Sequence, residues 1–219
     1  MNFQIPNIHI NASDYHAIVS IGNKCPTTMI LKELHIYKEA YPFDFVPTTP
    51  KLILKYLKDT SEFFPCKNQI RTDDDVWFGH YNLDENYKTT IQTFKRRFVR
   101  LFTALEEKKK ILFVYTTEAD VYNEMGNRYN DNYAELVNIR DYIKTKYEYD
   151  NFTILAIHTN KVYENTENII NFTINVEEHF CSDNKESHVA QVWDPYRELL
   201  KKILQMIFRI PMNQESSPE

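Results

Sequence analysis

The sequence predicts an α/β fold, with a mainly parallel central sheet of about five strands flanked by helices. Two observations lead to this prediction. Short apolar segments rich in β-branched residues, typical of buried strands, alternate with longer segments whose apolar residues recur every three or four positions, as in helices. Strands that alternate with helices build βαβ units and hence a parallel sheet. We expect a single domain over residues 1–210 and a disordered polar tail over 211–219.

The amino-acid composition restricts the classes of function. Hydrophobic residues make up 42% of the 219 residues, which suits one folded domain and excludes disorder for most of the chain. The three glycines, Gly22, Gly79 and Gly126, are too far apart for a glycine-rich phosphate loop, and no cofactor is expected. The net charge of −5 argues against a nucleic-acid partner held by bulk electrostatics.

The cysteines indicate a cellular compartment. Cys25, Cys66 and Cys181 are widely spaced and form no Cys-x-x-Cys pair, so neither a zinc knuckle nor a thioredoxin-type site is expected. No segment has the pattern of a signal peptide or the length of a membrane span, and we expect no membrane partner. The prediction is a cytoplasmic protein with reduced thiols.

The first part of the chain is predicted to contain one strand, two helices and two loops. Residues 17–22 form an apolar run that ends at glycine, as a buried strand does. Residues 26–34 begin with a proline, which suits the first helical turn, and residues 49–57 begin with a Thr-Pro cap. The aromatic segment 41–45 and the polar segment 63–75 are interpreted as loops.

The second part continues the alternation. A short apolar segment at 76–78 precedes a long amphipathic helix over 87–107, and a second helix is predicted over 131–147. A last helix begins at Asp194 or Pro195 and ends near Phe208. The further strands are predicted at residues 110–115, 152–157, 169–176 and, as a fifth, 188–193.

Cys25 is the first candidate for chemistry. It follows the predicted first strand, and in open α/β sheets binding sites form beyond the carboxyl ends of the strands. It also stands at or next to the N-cap of the following helix, where the partial positive charge favours a thiolate. The alternative is a buried thiol that packs as a small hydrophobic residue. Cys66 and Cys181 lie in polar stretches and are interpreted as incidental.

His80 is the best-placed candidate for a base that would activate this thiol, because imidazole titrates in the useful range. The alternative is a loop histidine that hydrogen-bonds to the backbone. His158, at the end of a predicted strand, is the second candidate. His179 and His188 flank a polar loop, but no acidic or cysteine residue has ligand spacing to them, so no metal site is predicted.

Charged residues provide candidates for substrate binding. Asp44 lies between two phenylalanines, and a carboxylate among rings is costly to bury unless a cation compensates it. Arg96 and Arg97 lie on the long amphipathic helix, with Arg97 nearer to its apolar side. One interpretation is a solvated basic face. The other is that Arg97 reaches Asp44 or an anionic ligand.

These residues together resemble a family of papain-like cysteine peptidases. The family combines a strand ending in Gly-x-x-Cys, a Pro-Phe-Asp-aromatic loop, a later histidine, an Arg-Arg helix and a Phe-Val strand. The resemblance covers about residues 17–115, and the matching pieces occur in the same order. They are residues 18–25 (Ile-Val-Ser-Ile-Gly-Asn-Lys-Cys), residues 41–45 (Tyr-Pro-Phe-Asp-Phe), His80, residues 94–98 (Phe-Lys-Arg-Arg-Phe) and residues 112–114 (Leu-Phe-Val).

The resemblance implies that Cys25 is the nucleophile and His80 its base. Because no glutamine precedes the nucleophile, Asn23 or the backbone N–H of Cys25 would bind the oxyanion. Asn82 or Asp194 would orient the histidine. The chain departs from the family pattern at Phe45, where a tryptophan is usual, and at Tyr81, where an acid is expected.

Three functions are therefore open. The first is a cysteine-dependent hydrolase that uses Cys25 and His80. The second is a glycan or nucleotide-sugar transferase in which Arg96, Arg97 or His80 binds phosphate. The third is a non-catalytic module that binds its partner through an aromatic surface formed by residues 41–45. The expected substrate is a small molecule, a glycan or a peptide.

Overall fold

A computed structural model describes residues 7–22, 25–74, 76–117, 133–175 and 188–211, with the backbone alone over 188–195. Within these residues the architecture is a four-stranded parallel sheet between helices, which confirms the predicted α/β class. The predicted tail beyond residue 211 lies outside the described residues.

The sheet has the strand order β1-β2-β3-β4, and every neighbouring pair is parallel. All four strands consist largely of buried apolar residues, as is usual for a parallel sheet covered on both faces. The strands are β1 (Ala17–Ser20), β2 (Ile111–Thr116), β3 (Phe152–Thr159) and β4 (Ile169–Ile174).

Helices cover both faces of the sheet. The helices are α1 (Pro26–Glu33), α2 (Pro50–Lys58), α3 (Leu83–Glu106), α4 (Tyr133–Tyr147) and α5 (His188–Ile207), and a short 3-10 turn at Ala12–Asp14 precedes β1. Residues of α2, α3 and α4 pack in one hydrophobic cluster. Residues of α1 and α5 pack in a second cluster. The strands contribute alternate residues to the two clusters, because successive side chains point to opposite faces of a sheet.

Two predicted boundaries are wrong. The proposed fifth strand at 188–193 is the beginning of α5, and Asp194 and Pro195 lie inside that helix and not at its start. The apolar residues from Val189 to Leu204 recur at helical spacing, which a short apolar run does not reveal by itself. Helix α3 begins at Leu83, before the predicted residue 87, because the side chain of Asn82 caps it.

A close approach at Gly22 joins β1 to α1. A Cβ atom at Gly22 would lie 2.0 Å from Thr27 Oγ1 and 3.0 Å from Thr116 Oγ1. The two threonine hydroxyls are buried and hydrogen-bonded to each other at 2.6 Å. The absence of a side chain at Gly22 therefore lets the first turn of α1 rest against the end of β2.

Gly22→Ala should lower the free energy of unfolding by roughly 1–3 kcal/mol, because the added methyl group overpacks this contact. Urea denaturation measures the change. In the double variant with Thr27→Ala the nearest clashing atom is gone, so the two costs should be less than additive. Fully additive costs would contradict the contact.

Candidate active site

Cys25 occupies the position that the sequence predicts, at the N-cap of α1 directly beyond the carboxyl end of β1. Its side chain makes no capping hydrogen bond to the helix, and the residue is half-buried. A thiol in this place is accessible to a reagent and lies in the positive field of the helix terminus.

The structure brings the imidazole of His80 to this thiol. The Sγ atom of Cys25 lies 3.2 Å from Nε2 of His80, although 55 residues separate the two in the sequence. This separation is within hydrogen-bond distance for sulfur, so a proton can pass directly between the two atoms. The predicted pairing of Cys25 with His80 is therefore present in the geometry.

A short hairpin presents His80 to the site. Arg71 and Trp77 form an antiparallel bridge, and the amide of Phe78 donates to the carbonyl of Ile70 at 2.7 Å. Val76 and Phe78 are fully buried, which fixes the segment to the core. His80 then follows in an exposed turn.

Two aromatic rings contact the imidazole of His80. The ring of Trp77 contacts it edge-on at 5.2 Å between centroids, and Phe45 does so at 6.3 Å. Phe45 takes a positive φ of 60°, a conformation that costs energy for a bulky residue. Among the described residues none hydrogen-bonds to Nδ1 of His80. Asn82, one of the two predicted orienting residues, instead caps α3. The side chain of Asp194 lies outside the described residues.

Asp44 is completely buried and accepts three hydrogen bonds. The hydroxyl of Tyr37 donates to Oδ2 at 2.7 Å, and the amide of Tyr41 donates to the same atom at 2.6 Å. The hydroxyl of Thr28, in the first turn of α1, donates to Oδ1 at 3.2 Å. The carboxylate therefore ties the aromatic loop to the helix that carries Cys25, so the structure places Asp44 in the scaffold of the site.

The pKa of Asp44 is raised to about 6, chiefly because burial removes the carboxylate from water. The hydrogen bonds from Tyr41, Tyr37 and Thr28 and the positive charge of Arg97 oppose this rise. Arg97 acts through space, since no ion pair joins it to Asp44. The two predicted partners are thus neighbours without being in direct contact.

Arg97 faces the site and Arg96 does not. The guanidinium of Arg97 lies over the ring of Phe94 at 4.8 Å, and its Nη1 donates to the hydroxyl of Tyr81 at 3.1 Å. Its Nε is buried and has no hydrogen-bond acceptor among the described residues. Arg96 is exposed and donates to Thr93 on its own helix. The prediction that Arg96 binds substrate thus has no support in the geometry.

The structure gives His158, the second candidate for the base, a different partner. His158 is fully buried, and its Nε2 lies 2.9 Å from Oδ1 of Asn171. Cys66 is exposed. Asn23, Cys181 and His179 lie outside the described residues, as does the side chain of His188.

The aromatic loop does not form the surface that the binding-module hypothesis requires. Tyr41 and Phe43 are both 2% exposed and belong to the hydrophobic core. Only Phe45 is partly exposed, and its ring contacts His80. The loop therefore builds the wall of the site, and a partner cannot reach its first two rings.

In the part of the chain that the structure describes, no group of three or more His, Cys, Asp or Glu residues could hold a metal ion. Among the same residues, no helix has the length and apolar character needed to cross a bilayer.

The sequence analysis missed three residues of the site. Tyr81, Trp77 and Tyr37 contact His80, Arg97 or Asp44, yet none was predicted to bind or position anything. The adjacency of Trp77 and Tyr81 to His80 was an available signal. Nothing distinguishes Tyr37 locally from the other fourteen tyrosines of the chain.

No family model, curated protein or solved structure matches this chain. The resemblance to papain-like cysteine peptidases therefore stays a prediction based on the residues quoted above.

Asp44→Asn should remove a pH dependence of stability. The folded-state pKa of about 6 exceeds the unfolded value of 3.8, so the folded state binds more protons between these values. The stabilising effect of this group is complete below pH 3.8 and is lost as the pH rises through 6. Relative to the variant, the wild type should lose roughly 2–3 kcal/mol over this window.

Urea denaturation of both proteins at several pH values measures this difference. The asparagine can still accept from Tyr37 and Tyr41 through its carbonyl oxygen, so the packing is preserved. A difference that stays constant with pH, or that has the opposite sign, would refute the effect of burial on this carboxylate.

Proposed function

We propose that this protein is a cysteine-dependent hydrolase in which Cys25 is the nucleophile and His80 the general base. The observation that supports this most directly is the 3.2 Å separation of Cys25 Sγ and His80 Nε2. The half-buried position of the thiol at the start of α1 supports it as well.

The chemistry follows from these two side chains. His80 accepts the thiol proton, and the sulfur of Cys25 attacks the acyl carbon of the substrate. His80 then returns the proton to the leaving group, which leaves a thioester on the cysteine. Water, deprotonated by the same imidazole, hydrolyses the thioester and restores the free thiol.

The proposed substrate is an acyl compound, and the resemblance to papain-like peptidases favours an amide bond in a peptide. A nucleophilic thiol must remain reduced, so the proposal includes a reducing compartment such as the cytoplasm. The peptide amide follows from the resemblance, and the reducing compartment follows from cysteine chemistry. A Cys-His dyad also acts on esters and thioesters.

A transferase that binds a phosphate group is the second candidate, and the position of Arg97 favours it. The Arg97 guanidinium lies in the same cluster as Tyr81 and Asp44, and its Nε has no acceptor among the described residues. In this alternative the thiol is not needed, so Cys25→Ser would keep full activity. In the hydrolase, the same substitution removes the nucleophile and abolishes turnover.

Alkylation by iodoacetamide tests the dyad without knowledge of the substrate. At about pH 6, Cys25 should react at least about tenfold faster than the exposed Cys66 of the same molecule, because the imidazole and the helix terminus favour the thiolate. Peptide mass mapping assigns the adduct to each cysteine. His80→Gln should lower the rate at Cys25 toward that of Cys66, and only the effect of the helix terminus should remain.

His9→Gln is the matched control, because His9 is also exposed and has no role in the site. It should leave both alkylation rates unchanged. If Cys25 of the wild type reacts no faster than Cys66, or if His80→Gln has no effect, the cysteine hydrolase is excluded.

A further inference from the structure

The hydroxyl of Tyr81 has an unused hydrogen-bonding capacity. It accepts a hydrogen bond from Nη1 of Arg97 at 3.1 Å, which occupies one of its lone pairs. A tyrosine hydroxyl also carries one proton to donate. Among the described residues no acceptor takes this proton. The side chain is only partly buried, so an acceptor from a bound molecule can reach it.

This hydroxyl is near enough to Cys25 for the charge of that residue to raise the pKa of Tyr81. Tyr81 directly follows His80, and its ring packs against Phe94 and Phe78 in the core at centroid distances of 5.1 and 6.2 Å. Burial raises the pKa of Tyr81, Arg97 opposes the rise, and the charges of Asp44 and Cys25 add to it. Because the pKa of Tyr81 is raised overall, the hydroxyl keeps its proton at neutral pH, as a hydrogen-bond donor must.

The first turn of α1 offers an oxyanion fewer hydrogen-bond donors than most helix starts do. Its first residue is Pro26, which has no N–H group to donate. The side-chain hydroxyls of the next two residues are already in use, since Thr27 pairs with Thr116 and Thr28 donates to Asp44. A further donor from another element would complete the site.

We propose that Tyr81, polarised by Arg97, donates a hydrogen bond to the oxyanion that forms when Cys25 attacks an acyl substrate. This inference rests on the proposed hydrolase function. In the step concerned, a bond forms between the Cys25 sulfur and the acyl carbon, and the carbonyl π electrons move onto the oxygen. The Tyr81 O–H group stabilises that charge without transferring its proton. When the carbonyl re-forms, the bond to the leaving group breaks, and His80 supplies the proton that this group requires.

Two reagents separate this role from an effect on the thiol. Iodoacetamide alkylates the thiolate by displacement at a saturated carbon, so no oxyanion forms. p-Nitrophenyl acetate acetylates the thiolate through a tetrahedral oxyanion, so its rate depends on oxyanion stabilisation. The ratio of the acetylation rate to the alkylation rate at Cys25 therefore reports the donor alone. Mass mapping follows both adducts.

Tyr81→Phe should lower this ratio by about 10²-fold, the usual effect of losing one oxyanion donor, with an unchanged alkylation rate. The phenylalanine ring keeps the contacts with Phe94 and Phe78. Tyr142→Phe is the matched control: it removes a partly buried tyrosine hydroxyl on α4 that donates to the carbonyl of Leu57 and takes no part in the site. Its ratio should equal that of the wild type.

Each outcome decides the inference. A lowered ratio in Tyr81→Phe with a normal ratio in Tyr142→Phe supports it. An unchanged ratio in Tyr81→Phe, or an equal fall in both variants, overturns it, while rapid alkylation of Cys25 leaves the hydrolase standing. If acetylation and alkylation fall together in Tyr81→Phe, the residue acts on the thiol and the oxyanion role is again refuted.

Discussion

The buried carboxylate of Asp44 is the interaction on which the geometry of the site depends. It joins the first turn of α1, through Thr28, to the segment that contains Tyr37 and Tyr41. Thr28 lies one helical turn beyond Cys25, and the residue after Asp44 is Phe45, which contacts His80. One group therefore controls the positions of both members of the dyad. Its desolvation is costly, and three donors compensate that cost, because a buried polar group without partners would destabilise the fold.

Ring packing holds the imidazole of His80 in its orientation. In Cys-His dyads a hydrogen-bonding polar residue often has this role. The imidazole of His80 contacts the rings of Trp77 and Phe45, while Asn82 is engaged at the start of α3. Ring contacts fix the plane of an imidazole by shape, but they do not select a tautomer as a carboxylate would. In the proposed mechanism, His80 therefore passes a proton between Cys25 and the leaving group with no fixed second partner at Nδ1 among the described residues.

The sequence predicts those parts of the structure that local patterns determine. The apolar strand, the glycine and the proline-initiated helix placed Cys25 correctly, because strand end, close approach and helix start follow each other within ten residues. The prediction of a fifth strand was wrong because a short apolar run fits both the strand period and the helix period. Only the helical spacing of the residues that follow it, in α5, distinguishes the two. Arg96 and Arg97 lie about 100° apart around the axis of α3, so the helical pattern put Arg97 nearer to the apolar side but did not show which residues it contacts. The hydrogen bonds of Asp44 with Tyr37 and Thr28, and of Tyr81 with Arg97, join different elements, and no spacing within one element encodes them.

The balance of charge around the dyad bears on which kind of substrate the site suits. Arg97 is the cation nearest to Tyr81, and the Asp44 carboxylate, with a pKa of about 6, is largely ionised at neutral pH and offsets that cation. A phosphate group carries more negative charge than the remaining field would compensate, and an unpaired charge in a partly buried site is costly. An acyl group is neutral in the ground state and becomes negative only at its oxygen as the sulfur attacks. A polarised hydroxyl and a helix terminus suit this localised, transient charge better than a permanent one, because their dipoles stabilise the transition state more than the bound substrate.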